Sequence, residues 1–364
     1  MLGDLKRNIY KYLLNRGLLR TKIVVLMDGG ICSQMHQYLL GNLYRKRGFS
    51  VCYDLTFYKE WGLDINNEFV RNFDILKAFP YLEFEEASKL EVDVYRREYF
   101  YGGNDGDIRT NDMSFLSLVP PIYLGGYYHF PSKQWLETFQ SLYRMVDGVL
   151  DKVNQIKCLE IDKCVDSVGV HVRRGDLKEE VSSYGAPASF DYFINATAFF
   201  KKKLYRPYFY FFSDEPEWVK MDLLPRLSVK DCAEVVDING SDKGYMDLYL
   251  LAHCKHQITT KGTLGKFGAL LADNPDKYVV LYNDETQQYW KMLLQNPVFI
   301  FELGVRFQFI DLRQRPAHRN TVADRRQHPR SGQAFHHILK HGDIVIRPPL
   351  RRAGIFLEAD SRMA

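Results

Sequence analysis

Lys22-Ile23-Val24-Val25-Leu26-Met27 is an almost unbroken apolar run, the pattern of a strand covered on both faces. Asp28-Gly29-Gly30 then marks a turn, and Ser33 is placed to cap a helix carrying Met35, Tyr38, Leu39 and Leu40. Gly48 closes that helix, and Ser50-Val51-Cys52-Tyr53-Asp54-Leu55 reads as the next strand, completing a strand–loop–helix–strand unit. Helical stretches and a turn-rich loop, Tyr101 to Asp107, follow, and Trp135 to Leu150 reads as a helix.

A second apolar strand, Val168-Gly169-Val170-His171-Val172, runs straight into Arg173-Arg174-Gly175-Asp176. Tyr208 to Phe212 predicts a strand ending at Ser213-Asp214, and Ala233 to Ile238 predicts another. Tyr245 to Cys254 reads as a helix, Gln257 to Thr260 as a short strand, Thr263 to Leu271 as a helix and Tyr278 to Leu281 as a strand. Strands and helices alternate in both halves, which predicts two α/β domains joined near residues 151–165. Ligands of such sheets bind at loops leaving the C-terminal strand ends. Gly29-Gly30, His171 to Asp176, Ser213-Asp214 and Thr263 all take such positions.

Composition narrows the class. With 364 residues, 46% hydrophobic and 26% charged, the chain is neither a disordered tail nor a bundle of membrane spans. Its net charge of +4 is unevenly placed: residues 305–364 hold 12 Lys plus Arg against 5 Asp plus Glu. The remaining body is slightly acidic, so nucleic acid is not an expected partner. The six cysteines form no Cys-x-x-Cys pair or zinc-finger spacing and read as reduced, mostly buried thiols. The first twenty residues predict a helix with Leu5, Ile9, Tyr12 and Leu13 at helical spacing among Lys6, Arg7, Lys11, Arg16 and Arg20. It either packs on the domain or lies on an anionic membrane surface. No signal peptide or membrane anchor is read from the sequence, which places the protein in the cytoplasm.

The strongest chemical feature is His171-Val172-Arg173-Arg174-Gly175-Asp176. Two arginines at a buried strand end call for an anionic partner, and a diphosphate suits the guanidinium fork. The competing reading is a structural pair between an arginine and Asp176.

These residues resemble the His-x-Arg-Arg-x-Asp hallmark of the family 11 glycosyltransferases, chiefly the bacterial α-1,2-fucosyltransferases. Gly29-Gly30-Ile31-Cys32-Ser33-Gln34-Met35-His36-Gln37-Tyr38 is similar to that family's Gly-Gly-x-x-Asn-Gln-Met-x-Gln-Tyr, with Ser33 replacing Asn. Phe212-Ser213-Asp214 with Trp218, and Asp247 to Lys255, match two further blocks. Lys261-Gly262-Thr263-Leu264-Gly265-Lys266-Phe267-Gly268-Ala269 departs from the family's Ser/Trp-rich loop and keeps one hydroxyl, Thr263.

The resemblance implies a GT-B fold, two Rossmann-like domains facing a central cleft. Residues 1–20 would form the basic helix, 21–155 the acceptor-side domain, 156–300 the GDP-sugar-binding domain and 301–364 a basic tail, disordered or of separate origin. It implies GDP-β-L-fucose as donor, O2 of a terminal β-galactose as acceptor, inversion, and no metal or other cofactor. Arg173 would clamp the β-phosphate and Arg174 support the loop or the donor. His171, Ser213 and Asp214 are candidates for nucleotide contacts, and Gly29, Gly30, Gln34 and Thr263 for the donor-binding loops. Asp176 is the first candidate base, with Glu179, Glu180 and Asp28 as rivals. Tyr127, Tyr128 and Trp135 form an acceptor platform or belong to the core.

Two other readings stay open. Asp105-Gly106-Asp107 could hold a divalent cation under another nucleotide sugar. Alternatively, the altered Thr263 loop marks a carbohydrate- or nucleotide-binding protein without turnover. From Arg306 onward Arg outnumbers Lys eleven to one, a break from the Lys-rich body that suggests a separate origin.

Overall fold

The computed structural model describes residues 2–63, 69–101, 114–125, 132–179, 186–282, 287–294, 297–301, 308–311, 338–340 and 343–345. The first sheet holds β1 (Lys22–Leu26), β2 (Ser50–Asp54), β3 (Phe100–Tyr101) and β4 (Ile122–Leu124), all parallel, in the order β2-β1-β4-β3. Val24 of the central strand is fully buried, because helices cover both faces of a parallel sheet.

The second sheet is built on β5 (Asp166–Val172), β6 (Pro207–Ser213), β7 (Ala233–Val235), β8 (His256–Ile258) and β9 (Val279–Leu281). Beyond β9, β10 (Pro297–Phe301) joins in parallel and β11 (Gln308–Asp311) closes the edge antiparallel. Two parallel α/β sheets joined in one chain are the GT-B layout expected above. Two of the expected boundaries fall inside elements of the structure. The helix Lys152–Lys163 spans the predicted junction and belongs to the second unit, where Asn154 bonds Asn239 at 2.9 Å and lies 3.1 Å from Met246 sulfur. A cut after residue 300 would also split β10 from the edge strand that pairs with it.

An aromatic seam joins the two units. Phe267 lies 5.1 Å from Phe139 and 4.7 Å from the His36 ring, and Tyr249 donates its hydroxyl hydrogen to the Ala78 carbonyl at 2.6 Å. Trp135 is 1% exposed within this seam, so it is core and not an acceptor platform. Each such buried aromatic contributes about 1.5–3 kcal/mol relative to exposure.

Local signals explain most helix limits. The helix after β1 runs Ile31–Lys46 with Gly30 as its N-cap, not Ser33. Gly29 takes φ of +68°, so the chain turns into the helix earlier than the serine suggested. The helix expected over Trp135 to Leu150 is Lys133–Leu142, capped by Ser132 and ended at Tyr143, whose backbone is extended. The N-terminal helix Leu2–Asn15 packs on the helix Lys89–Glu98 through Arg7–Asp93 at 2.8 Å, Lys11–Glu98 and buried Leu14. Leu5, Ile9 and Tyr12, which formed the predicted apolar stripe, stay exposed. No described helix is long and apolar enough to cross a membrane. All six cysteines are free, and Cys32, Cys52, Cys158 and Cys254 are buried.

Candidate functional site

β5 is in register with both neighbours, Val172 opposite Ser213 and Val170 opposite Ile258. The three strands therefore release their following loops at one edge, as a parallel sheet must. The Arg173 N–H donates to Thr260 Oγ1 at 3.2 Å, joining the loops after β5 and β8. The N–H groups of Arg174 and Gly175 donate to the two oxygens of Asp214 at 3.0 and 3.1 Å. Asp214 thus organises the turn after β5, and Ser213 Oγ fixes its own turn by accepting from the Glu215 N–H at 3.0 Å. Gly175 packs tightly there: a Cβ would lie 3.0 Å from Asp214 Oδ2 and 3.2 Å from the Phe69 ring.

The two arginines diverge. Arg174 donates from Nε to Glu215 at 3.2 Å and lies 3.5 Å over the Trp218 ring, which stacks on Phe190 at 5.3 Å. A cavity of about 410 Å³ opens beside this stack, lined by Arg174, Lys178, Ser189, Phe190 and Trp218. Arg173 points instead to the loop after β8, where its Nη1 is 2.8 Å from the place a Cβ on Gly262 would occupy. Burial pushes the neighbouring Cys32 thiol up to about 12, although the Thr263 hydroxyl and the Arg173 charge beside it pull downward. Cys32 carried no chemical signal in the sequence, yet it is where the Gly29-Gly30 helix meets the Thr263 loop and Arg173. Thr263 is the N-cap residue of the helix Leu264–Leu271, whose first backbone N–H groups have no partner inside the helix.

His171 is a buried core imidazole. Its Nδ1 lies 3.3 Å from Thr260 Oγ1, and burial, with Arg173 and Lys266 nearby, pushes its pKa down to about 3. A Cβ on Gly265 would sit 2.6 Å from His171 Cβ, so the helix after the Thr263 loop packs directly on β5.

Gln34 is also internal. Its Oε1 accepts from the N–H groups of Asp74 and Ile75, both at 2.9 Å. Its Nε2 donates to the carbonyls of Gly29 at 3.2 Å and Asn72 at 2.8 Å. All its hydrogen-bonding capacity goes to backbone, so its visible role is to scaffold two loops. Asp28 is held similarly: its Oδ1 accepts from Gln37 Nε2 at 2.6 Å, and its N–H donates to Gln37 Oε1 at 3.0 Å. Gly29 and Gly30 lie beside it, with Tyr58 donating to the Gly29 carbonyl at 2.9 Å.

Asp176 and Glu179 belong to the short helix Gly175–Glu179, but their side chains lie outside the described residues, as do Glu180, Asp105, Asp107, Tyr127 and Tyr128 altogether. The arrangement brings Arg173, Cys32, Gly262 and Thr263 together, with Arg174, Asp214 and Trp218 on the adjoining wall. A guanidinium beside a helix N-terminus can hold an anion and stabilise a negatively charged leaving group.

The chain is 23% identical over 272 residues to an α-1,2-colitosyltransferase of Escherichia coli, covering 68% of this chain and 87% of that protein. It is 28% identical over 147 residues to a galactoside α-(1,2)-fucosyltransferase 1 of Saimiri sciureus, 37% of either chain. Among solved structures, the NodZ α-1,6-fucosyltransferase soaked with GDP-fucose overlays with a TM-score of 0.46 at 12% identity, over 80% of this chain and 99% of that one. The glycosyl transferase family 11 profile matches residues 95–299, a span that contains β5, both arginines and the Thr263 loop. More than half of the chain lies inside that match, and the protein is a member of glycosyl transferase family 11.

Proposed function

We propose that the protein moves L-fucose from GDP-β-L-fucose to O2 of a terminal β-galactose, with inversion at the anomeric carbon. The observation that carries this reading is the position of Arg173, against Gly262 and beside Cys32 and Thr263. The acceptor O2 attacks the anomeric carbon as the bond to the diphosphate breaks, and the electron pair leaves with GDP. Arg173 and the N–H groups after Thr263 stabilise that departing charge. A carboxylate takes the acceptor proton, Asp176 first and Asp28, fixed by Gln37, as its rival. The proposed reaction needs no metal, so activity should survive EDTA; loss in EDTA would return Asp105 and Asp107 to consideration.

A second transferred sugar, colitose, carried on a nucleotide such as GDP, is suggested by the Escherichia coli relative named for colitosyl transfer, 87% of whose length the chain covers. The membrane reading of the N-terminal helix rests on exposed Leu5, Ile9 and Tyr12, and co-sedimentation with anionic vesicles tests it. The decisive assay incubates the protein with GDP-fucose, GDP-colitose and other nucleotide sugars over a panel of β-galactosides and reads released nucleotide and product mass. No transfer to any β-galactoside, or turnover unchanged in Arg173→Ala, would refute the reading.

A further inference from the structure

We propose that Arg71 grips the donor diphosphate from the N-terminal side of the cleft, and that Gln34 is the positioning residue that holds Arg71 there. This rests on the GDP-sugar reading above.

Arg71 is half-buried, and its Nη1 lies 3.9 Å from the place a Cβ on Gly30 would occupy. It therefore hangs over the Gly29-Gly30 turn, whose helix carries Cys32, the thiol beside Arg173. Its guanidinium carbon is 5.7 Å from the centre of the Phe69 ring, and Phe69 in turn closes on Gly175, one residue past Arg174. Arg71 thus enters the cleft from the wall opposite the two arginines that follow β5. Among the described residues no carboxylate pairs with it. A guanidinium withdrawn partly from water without an anion carries a desolvation cost, which a bound anion removes. A diphosphate has charge enough for two forks, one from each domain.

The segment bearing Arg71 has little regular structure to hold it. Its backbone N–H donates to the Gly62 carbonyl at 2.7 Å, and the next residues are bracketed by Gln34 through Asn72 O, Asp74 N–H and Ile75 N–H. Gln34 also bonds Gly29, so one side chain sets the spacing between the Gly-Gly turn and the arginine that faces it.

The test measures binding of GDP and GMP to the full chain by calorimetry. Arg71→Met should weaken GDP by about tenfold to a hundredfold, the worth of a charge-assisted bond, and leave GMP nearly unchanged. Arg71→Lys should recover part of the loss. Gln34→Leu should show the same selective loss, and Gln34→Leu with Arg71→Met should discriminate GDP from GMP no worse than Arg71→Met alone. Equal GDP affinity in parent and Arg71→Met overturns the assignment, as do equal losses for both nucleotides. A parent that binds neither nucleotide overturns this inference and the GDP-sugar reading together, whereas a parent that prefers GDP beside an indifferent Arg71→Met refutes Arg71 alone.

Discussion

Arg173 occupies the space that a side chain at residue 262 would need: a Cβ on Gly262 would stand 2.8 Å from Arg173 Nη1 and 3.0 Å from its Cδ. Gly262 also has φ of +86°, which costs an L-residue on the order of 1–2 kcal/mol. Gly262→Ala should therefore displace the guanidinium and lower kcat/KM, by up to the roughly 10² expected when a charge-stabilising donor is misplaced, with circular dichroism unchanged. Wild-type turnover in this variant would show that Arg173 acts elsewhere.

Arg173 and Arg174 should separate in kinetics. Arg173→Ala should lower kcat by about 10² to 10³, as when a preorganised charge-stabilising donor is removed. Arg174 is engaged by Glu215 and by Trp218, so Trp218→Ala should cost only about 0.5–2 kcal/mol. Its effect should fall mainly on KM for the donor. Equal losses of kcat in the two variants would contradict the division of roles drawn from their side-chain directions.

Asp247 makes a pH prediction. Burial pushes its carboxyl up to about 7, although Asn239 donates to it at 2.7 Å. Between the ordinary carboxylate range and about pH 7 the folded chain binds the extra proton, so this group's contribution to stability falls as pH rises through that window. His171 acts in the opposite sense, losing stability below its ordinary value because its folded pKa is down at about 3. Comparison with Asp247→Asn isolates the first group. The variant should gain in melting temperature relative to the parent, and the gain should be larger at pH 8 than at pH 5. A gap independent of pH would mean that Asp247 titrates normally.

The strands were legible because burial on both faces leaves long apolar runs, as in β1, β5 and β6. Arg173 was legible because charge at the end of such a run is chemically expensive. Gln34 was legible as a residue worth noticing but not in its role, since its partners Asn72, Asp74 and Ile75 come from some forty positions away in the chain. Arg71 left no local pattern at all; only the return of its loop to Gly30 gives it meaning. The same holds for Cys32, whose environment is set by Thr263 and Arg173 from distant loops. Apolar periodicity also overran the helix beginning at Lys133, because Tyr143 continues the apolar spacing while its backbone is extended and its hydroxyl reaches the Met35 carbonyl at 2.5 Å.

The C-terminal segment divides on pairing rather than on composition. β10 lies in register with β9, Pro297 opposite Val279 and Phe299 opposite Leu281, and β11 pairs antiparallel along the outer side of β10. Val279, Val280 and Leu281 are fully buried, so removing β10 would leave their backbone groups without ladder partners on that side. Among the described residues the strands Ile338–Lys340 and Asp343–Val345 pair only with each other, and an isolated two-stranded hairpin is marginal in water. A chain ending after Asp311 should therefore keep the parent's melting temperature and transfer activity, despite losing most of the basic excess. A chain ending at residue 296 should melt roughly 5–10 °C lower, a shift equivalent to a few kcal/mol in a protein of this size. Thermal scans and product formation on both chains check this; if the longer one loses activity at unchanged stability, residues 312–364 take part in catalysis or acceptor binding.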